Sequence, residues 1–223
     1  MEDIQVNPVS GNCGIAHTRW ATHGKPSEAN AHPHISNGRI CLVHNGIIEN
    51  HQELREELIK NGYEFSSETD SEVIVHLVDE FYSDQRSLLE AVKMALSRLK
   101  GAYAIGVIAQ NEPDKIIAAR RGSPLVVGVG IGENFIASDV LALSRVTDRF
   151  IYLEDGDLIE LTSDRINILD SNGNSIDRTI SQIRNSNDDI HKGSYRHYME
   201  KEIHSQPQVV RNTIEGRLGE SYV

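Results

Sequence analysis

Cysteine is scarce: Cys13 and Cys41 are the two thiols in 223 residues. Neither belongs to a C-x-x-C pair, which argues against a disulfide scaffold and a thiolate zinc site and makes a reducing cytoplasm the expected setting. Positive charge is in deficit. Lys and Arg total 22 against 33 Asp and Glu, a formal net charge of −11. Nucleic acid and anionic membrane surfaces need a basic footprint, so neither is expected as a partner, and the acidity reads as solubility. No apolar run approaches the length of a membrane span. The opening residues, Met1 to Pro8, have neither the basic nor the apolar part of a signal peptide. Aromatic residues make up 5%, yet 39% hydrophobic against 25% charged excludes disorder. A chain of this length holds one sizeable domain with an appended segment.

What is present concentrates in three polar strings. His17-Thr18-Arg19-Trp20-Ala21-Thr22-His23-Gly24 follows no hydrophobic period of 2 or 3.6. It combines a guanidinium suited to a ligand carboxylate with an indole, hydroxyls and imidazoles. His44-Asn45-Gly46-Ile47-Ile48-Glu49-Asn50 carries an Asn-Gly pair. Such a pair is either an ordinary turn or a side-chain amide beside a backbone N–H, the donor set that a developing oxyanion needs. Ser67-Glu68-Thr69-Asp70-Ser71-Glu72 has capping-box spacing, with Asp70 placed either for the helix dipole or for a cationic amine. Five of the ten histidines, His17, His23, His32, His34 and His44, crowd one stretch and raise a metal-binding alternative. No H-E-x-x-H string supports it.

Periodicity predicts short strands over 13–17 and 39–43, with a proline-broken loop between them covering His32 and His34. Asn50 is placed to cap a helix over 51–60. Thr69 precedes a second helix with Val73, Ile74, Leu77, Val78 and Phe81 inward, and 86–99 forms a third that ends before Gly101. From 102 to 170 strands prevail: 103–109, 116–120, 125–129, 135–137, 150–153, 157–161 and 166–169, separated by Gly-, Asn- and Asp-bearing turns. This order predicts an α+β fold with sheet packed on sheet. Gly128-Val129-Gly130-Ile131-Gly132 imitates a dinucleotide loop, but a strand rather than a helix follows it. Residues 181–194 read as a polar linker, and helical character returns from Tyr195, broken near Gln206-Pro207.

The three strings resemble those of the glutamine amidotransferases of the N-terminal-nucleophile class. The segment Tyr195-Arg196-His197-Tyr198-Met199-x-Lys201-Glu202-Ile203 resembles the branch that aminates fructose 6-phosphate. The resemblance implies a four-layer αββα sandwich of N-terminal-nucleophile hydrolase type, here truncated at its N-terminal strand. It implies a glutaminase domain over 1–180, the linker at 181–194, and the start of a sugar-phosphate isomerase domain over 195–223. L-glutamine would be the substrate, with Arg19 on its α-carboxylate, Asp70 on its α-amine, and Trp20, Thr22 and His23 lining the pocket. Asn45 and Gly46 would supply the oxyanion donors. No cofactor and no metal are implied, and fructose 6-phosphate would be reached only through the isomerase domain. That class attacks with a leading cysteine whose free α-amine serves as base, whereas this sequence opens Met1-Glu2-Asp3 and its Cys13 lies mid-chain. The expectation is a chain that grips glutamine without hydrolysing it. The alternative is a non-catalytic glutamine-binding or interaction module. Loss of a sheet edge further predicts a homodimer.

Overall fold

The computed structural model describes residues 11–19, 24–182 and 192–214. The chain divides into two compact units, Met1–Ile183 and Arg184–Val223.

The first unit contains two antiparallel sheets. Seven strands lie in the order β1 (His34–Ser36), β2 (Ile40–Ile48), β3 (Gly101–Ala109), β4 (Glu112–Arg121), β8 (Leu158–Leu161), β9 (Ile166–Leu169) and β10 (Ser175–Ile176). Four lie in the order β11 (Ile180–Gln182), β7 (Arg149–Tyr152), β5 (Val126–Val129) and β6 (Asn134–Ala137). Three helices, α1 (His51–Lys60), α2 (Asp70–Phe81) and α3 (Leu88–Arg98), cover the outer face of the larger sheet. The described residues thus form helix, sheet and sheet, three of the four expected layers.

Strand alternation divides the core. On β4, Ile117 and Ala119 face the helices, while Ala118 between them faces the second sheet. The helix-side core joins Ile40, Leu42, Ile105 and Val107 to Leu58, Ile74, Leu77 and Val92. Each such side chain contributes about 1.5–3 kcal/mol on leaving water. Ala118, Ile159 and Leu161 meet Val127 and Ile151 between the sheets. Helix α2 is buried from Asp70 through Asp79. Its buried Asp79 carboxylate takes hydrogen bonds from Asn37 and Arg39, which tie the β1–β2 turn to the helix, and from Tyr63, which follows α1.

Several local expectations are corrected. Residues 13–17 form no strand, because no described strand offers them a ladder. Asn45-Gly46 is not a turn. It lies inside β2, paired with Ala104 and Tyr103 of β3. Gly46 has φ 135°, and a Cβ there would stand 2.1 Å from the Ala102 carbonyl oxygen. Gly101, with φ 118°, is its reciprocal, since a Cβ there would stand 2.2 Å from the Ile47 carbonyl oxygen. Close backbone approach, not chain reversal, is what glycine provides here. His34 leaves the proline loop to begin β1, an edge strand that follows a cis His32–Pro33 bond.

Asn50 flanks α1 without capping it. Its side chain donates to the Arg98 carbonyl and accepts from the Lys100 N–H, joining α1 to the α3–β3 connection. Thr69 likewise makes no side-chain cap, because its hydroxyl pairs with His34 Nε2 and Ser67 Oγ. The capping box appears instead at Ser87 and Glu90 of α3. Strand β11 takes in the first two residues of the expected linker. In the second unit, α4 (Tyr198–Ile214) continues through Pro207 without breaking.

Candidate functional site

The C-terminal half of β2, the start of α2 and the segment ending at Arg19 surround a cavity of about 290 Å³. Arg19, Asn45, Gly46 and Asp70 all line it. Trp20, Thr22 and His23 lie outside the described residues. His17, His32 and His44, to which motif reading assigned no role, line it as well. The density of histidine in the sequence was their one visible signal.

Helix α2 places Asp70 at its first turn, where the N-terminal dipole favours a carboxylate. Asp70 is 3% exposed. Its Oδ2 accepts the Ile48 N–H at 2.8 Å, and Oδ1 takes no hydrogen bond among the described residues. That bond also orients β2. Backbone N–H groups two residues apart point to one edge of a strand, so the Gly46 N–H shares the edge of Ile48, away from β3. Asn45 is anchored through Oδ1, which lies 2.7 Å from His17 Nε2. Its Nδ2 has no acceptor among the described residues. Asn45 and Gly46 thus bring a side-chain amide and a main-chain N–H to one wall.

Arg19 has φ 54°, rare for a residue with a side chain. Its N–H donates to His17 Nδ1 at 2.8 Å. Its guanidinium donates to the Lys25 carbonyl at 3.1 Å and to that of Gly24 at 3.4 Å. Asn30 fastens this loop to the opposite wall. Its Nδ2 donates to the same Lys25 carbonyl and to Glu68, and its Oδ1 accepts the Glu68 N–H.

The imidazoles form a chain along one side. His17 and His32 have ring centroids 4.3 Å apart, and His32 and His34 are separated by 4.9 Å. Burial first, then His17, His34, His44 and Arg19 as neighbouring cations, push the His32 pKa down to about 3. Both of its ring nitrogens are buried without a partner among the described residues. Burial also lowers His34 and His44, and His44 Nδ1 pairs with Ser71 Oγ at 2.8 Å. Near neutral pH His32, His34 and His44 are uncharged, so these three add no positive charge beside Arg19.

Beneath the cavity, the Glu72 carboxylate takes the Ser66 and Ser67 N–H groups and both hydroxyls at 2.6–2.8 Å. Burial works to raise its pKa. The His76 imidazole, with Nε2 3.6 Å from the carboxylate, and the hydrogen bonds from Ser67 and Ser66 overcome that and hold it well below the usual carboxylate range. Glu72 therefore folds the Ser66–Ser67 approach onto α2 rather than closing a capping box on Thr69.

Neither cysteine lines this cavity. Cys13 Sγ is directed to the Lys115 carbonyl at 3.7 Å, and burial followed by Asp114 pushes its thiol up. Burial raises Cys41 as well. The glycine string at 128–132 joins β5 to β6 and opens no helix. Among the described residues no group of three His, Cys, Asp or Glu side chains is arranged to hold a metal. No helix among them is long and apolar enough to cross a membrane.

A family described as "Glutamine amidotransferase domain" matches residues 17–145. Glutamine–fructose-6-phosphate aminotransferase (isomerizing) of Pseudomonas putida is 55% identical over 220 residues, covering 99% of this chain and 36% of that protein. The protein of the same name from Yersinia pseudotuberculosis is 57% identical over 215 residues, covering 96% of this chain and 35% of its own length. The chain thus spans about a third of these relatives. Among solved structures, the glutamine phosphoribosylpyrophosphate amidotransferase of B. subtilis, complexed with ADP and GMP, superposes with a TM-score of 0.58 at 26% identity. The match covers 71% of this chain and 35% of that one.

Proposed function

The chain belongs to the glutamine amidotransferase domain family, and from that premise we propose that its cavity binds L-glutamine for release of ammonia. The observation that carries this reading is the convergence of Arg19, Asn45, Gly46 and Asp70 on one space of amino-acid size. Arg19 takes the α-carboxylate, for which a planar fork of donors is suited. Asp70 takes the α-ammonium through the oxygen not bound to Ile48. The side chain of glutamine then runs toward β2. The Asn45 amide and the Gly46 N–H stabilise the oxygen of its amide carbon as that oxygen gains negative charge. Trp20, Thr22 and His23 complete the pocket in this reading.

Acyl transfer also needs a thiolate. Cys13 and Cys41 lie away from the cavity with raised pKa values, the opposite of an activated nucleophile. These 223 residues therefore bind glutamine without turning it over, and sustained ammonia release from this chain alone would overturn that statement. In the whole protein the ammonia serves to convert fructose 6-phosphate to glucosamine 6-phosphate in the cytoplasm. Residues 195–223 then open the sugar-phosphate isomerase part. Whole-chain identity to proteins of that name supports this assignment.

Calorimetric titration of the chain with L-glutamine tests the reading. One site is expected, and Arg19→Ala should weaken it by about 30- to 100-fold, the loss of a charge-assisted pair. Equal binding by both proteins would remove Arg19 from the site.

A further inference from the structure

His17 stands between the two halves of the site, and its hydrogen bonds determine its tautomer. The Arg19 N–H can only donate, so Nδ1, 2.8 Å away, carries a lone pair. In the neutral ring the proton is then on Nε2, which donates to Asn45 Oδ1 at 2.7 Å. This contact also fixes the Asn45 amide. The flipped amide would set an NH₂ group against the Nε2–H, so the oxygen faces His17 and Nδ2 is turned away from it. Among the described residues no acceptor takes Nδ2, and Asn45 lines the cavity. On its other side the same ring accepts the Arg19 N–H where the Arg19 backbone stands at φ 54°, in a segment that forms no strand among the described residues.

We propose that His17 is a positioning residue that serves both halves of the site at once, its Nδ1 lone pair fixing Arg19 for the substrate carboxylate and its Nε2–H aiming the Asn45 amide at the oxyanion. The inference deepens the glutaminase reading and rests on it for the roles of Arg19 and Asn45. Because each ring nitrogen serves a different partner, the two effects are separable. His17→Asn keeps an acceptor near the Nδ1 position and loses the distal donor. His17→Gln keeps a donor near the Nε2 position and loses the proximal acceptor.

Glutamine hydrolysis by the full-length natural protein carrying these residues provides the test. In His17→Asn the loss should fall on kcat, about 10- to 100-fold, because removing an oxyanion donor altogether costs about 10²–10³. In His17→Gln the loss should fall on KM, about tenfold, because it loosens the carboxylate grip, which is shared by ground and transition states. If both variants lose kcat and KM in the same proportion, or neither changes, the relay is overturned. A second measurement does not depend on turnover. Long-range nitrogen–proton correlation spectra of the neutral His17 ring in the 223-residue chain should show the Nε2–H tautomer, and an Nδ1–H tautomer would overturn the proposal. A full-length wild-type protein that releases no ammonia would refute the glutaminase reading and with it the roles of Arg19 and Asn45, whereas a wrong tautomer in a protein that does release ammonia would overturn the His17 relay alone.

Discussion

Asn45, Gly46 and Asp70 stand on β2 and α2, a fully paired strand and a buried helix, whereas Arg19 stands on a segment that forms no strand among the described residues. Strand β2 is paired with β3 along its whole length, and α2 is buried from its first residue to Asp79. The segment before Arg19 is held by His17, by carbonyls of the 24–25 loop, and through that loop by Asn30. In the proposed reading, the oxyanion donors Asn45 and Gly46 thus occupy the more heavily bonded wall and the carboxylate clamp Arg19 the less bonded one. This contrast suits the chemistry. Preorganised dipoles act through fixed position, while a clamp has to admit the substrate before closing on it.

The largest expected effect comes from disturbing the more heavily bonded wall. Gly46→Ala should destabilise the fold by about 3 kcal/mol or more, since its Cβ collides with a backbone carbonyl at a positive φ. The midpoint of urea unfolding measures it, and an unchanged midpoint would dissolve the distinction between the walls.

Acid should act next, through His32 between them. Its folded pKa of about 3 lies below the ordinary imidazole value of 6.5, so the unfolded chain takes up the proton first as pH falls. Stability is therefore full above about pH 6.5 and declines between 6.5 and 3, by a few kcal/mol in total, at about 1.4 kcal/mol per pKa unit. His34 and His44 shift in the same direction. Unfolding midpoints at pH 7 and pH 5 should show the decline, with His32→Asn flattening part of it.

Arg19→Ala sharpens the contrast from the other side. Glutamine affinity should fall by about 2–3 kcal/mol while the unfolding midpoint stays within about 0.5 kcal/mol of wild type. Equal losses in both would mean that the clamp also belongs to the scaffold. Asn30→Ala should have the smallest effect, about 1 kcal/mol of stability and a several-fold weaker glutamine site, because it cuts the tie between the 24–25 loop and Glu68, ahead of α2, without touching ligand. Calorimetry on that variant gives both numbers.

The long periodic elements were legible in the sequence. Helices α1, α2 and α3 and strands β3 to β9 follow from apolar spacing, which burial on one or both faces enforces. The three strings were legible as one site because each places polar groups at the edge of an apolar run. What escaped depended on partners remote in sequence. Residues 13–17 have strand composition, yet a strand exists only where a neighbour accepts its hydrogen bonds. Asn45-Gly46 has turn composition, yet the approach of β3 decides its conformation. Thr69 and Asn50 have cap composition, yet His34 and the 98–100 backbone compete for the same oxygens and win. The roles of His17 and His32 were hidden for the same reason, since an imidazole's function depends on what each nitrogen meets.

Gly46 and Gly101 lie on opposite strands of the β2–β3 ladder, and a side chain at either would collide with a carbonyl oxygen of the other strand, that of Ala102 for Gly46 and that of Ile47 for Gly101. Neither position can drift, and no paired exchange restores the fit, since both obstacles are main-chain atoms. Invariance of Gly46 across homologous sequences would thus be demanded by the strand pairing alone. It should not be counted as testimony about catalysis, whereas variation at Asn45, which the ladder tolerates, would carry that information.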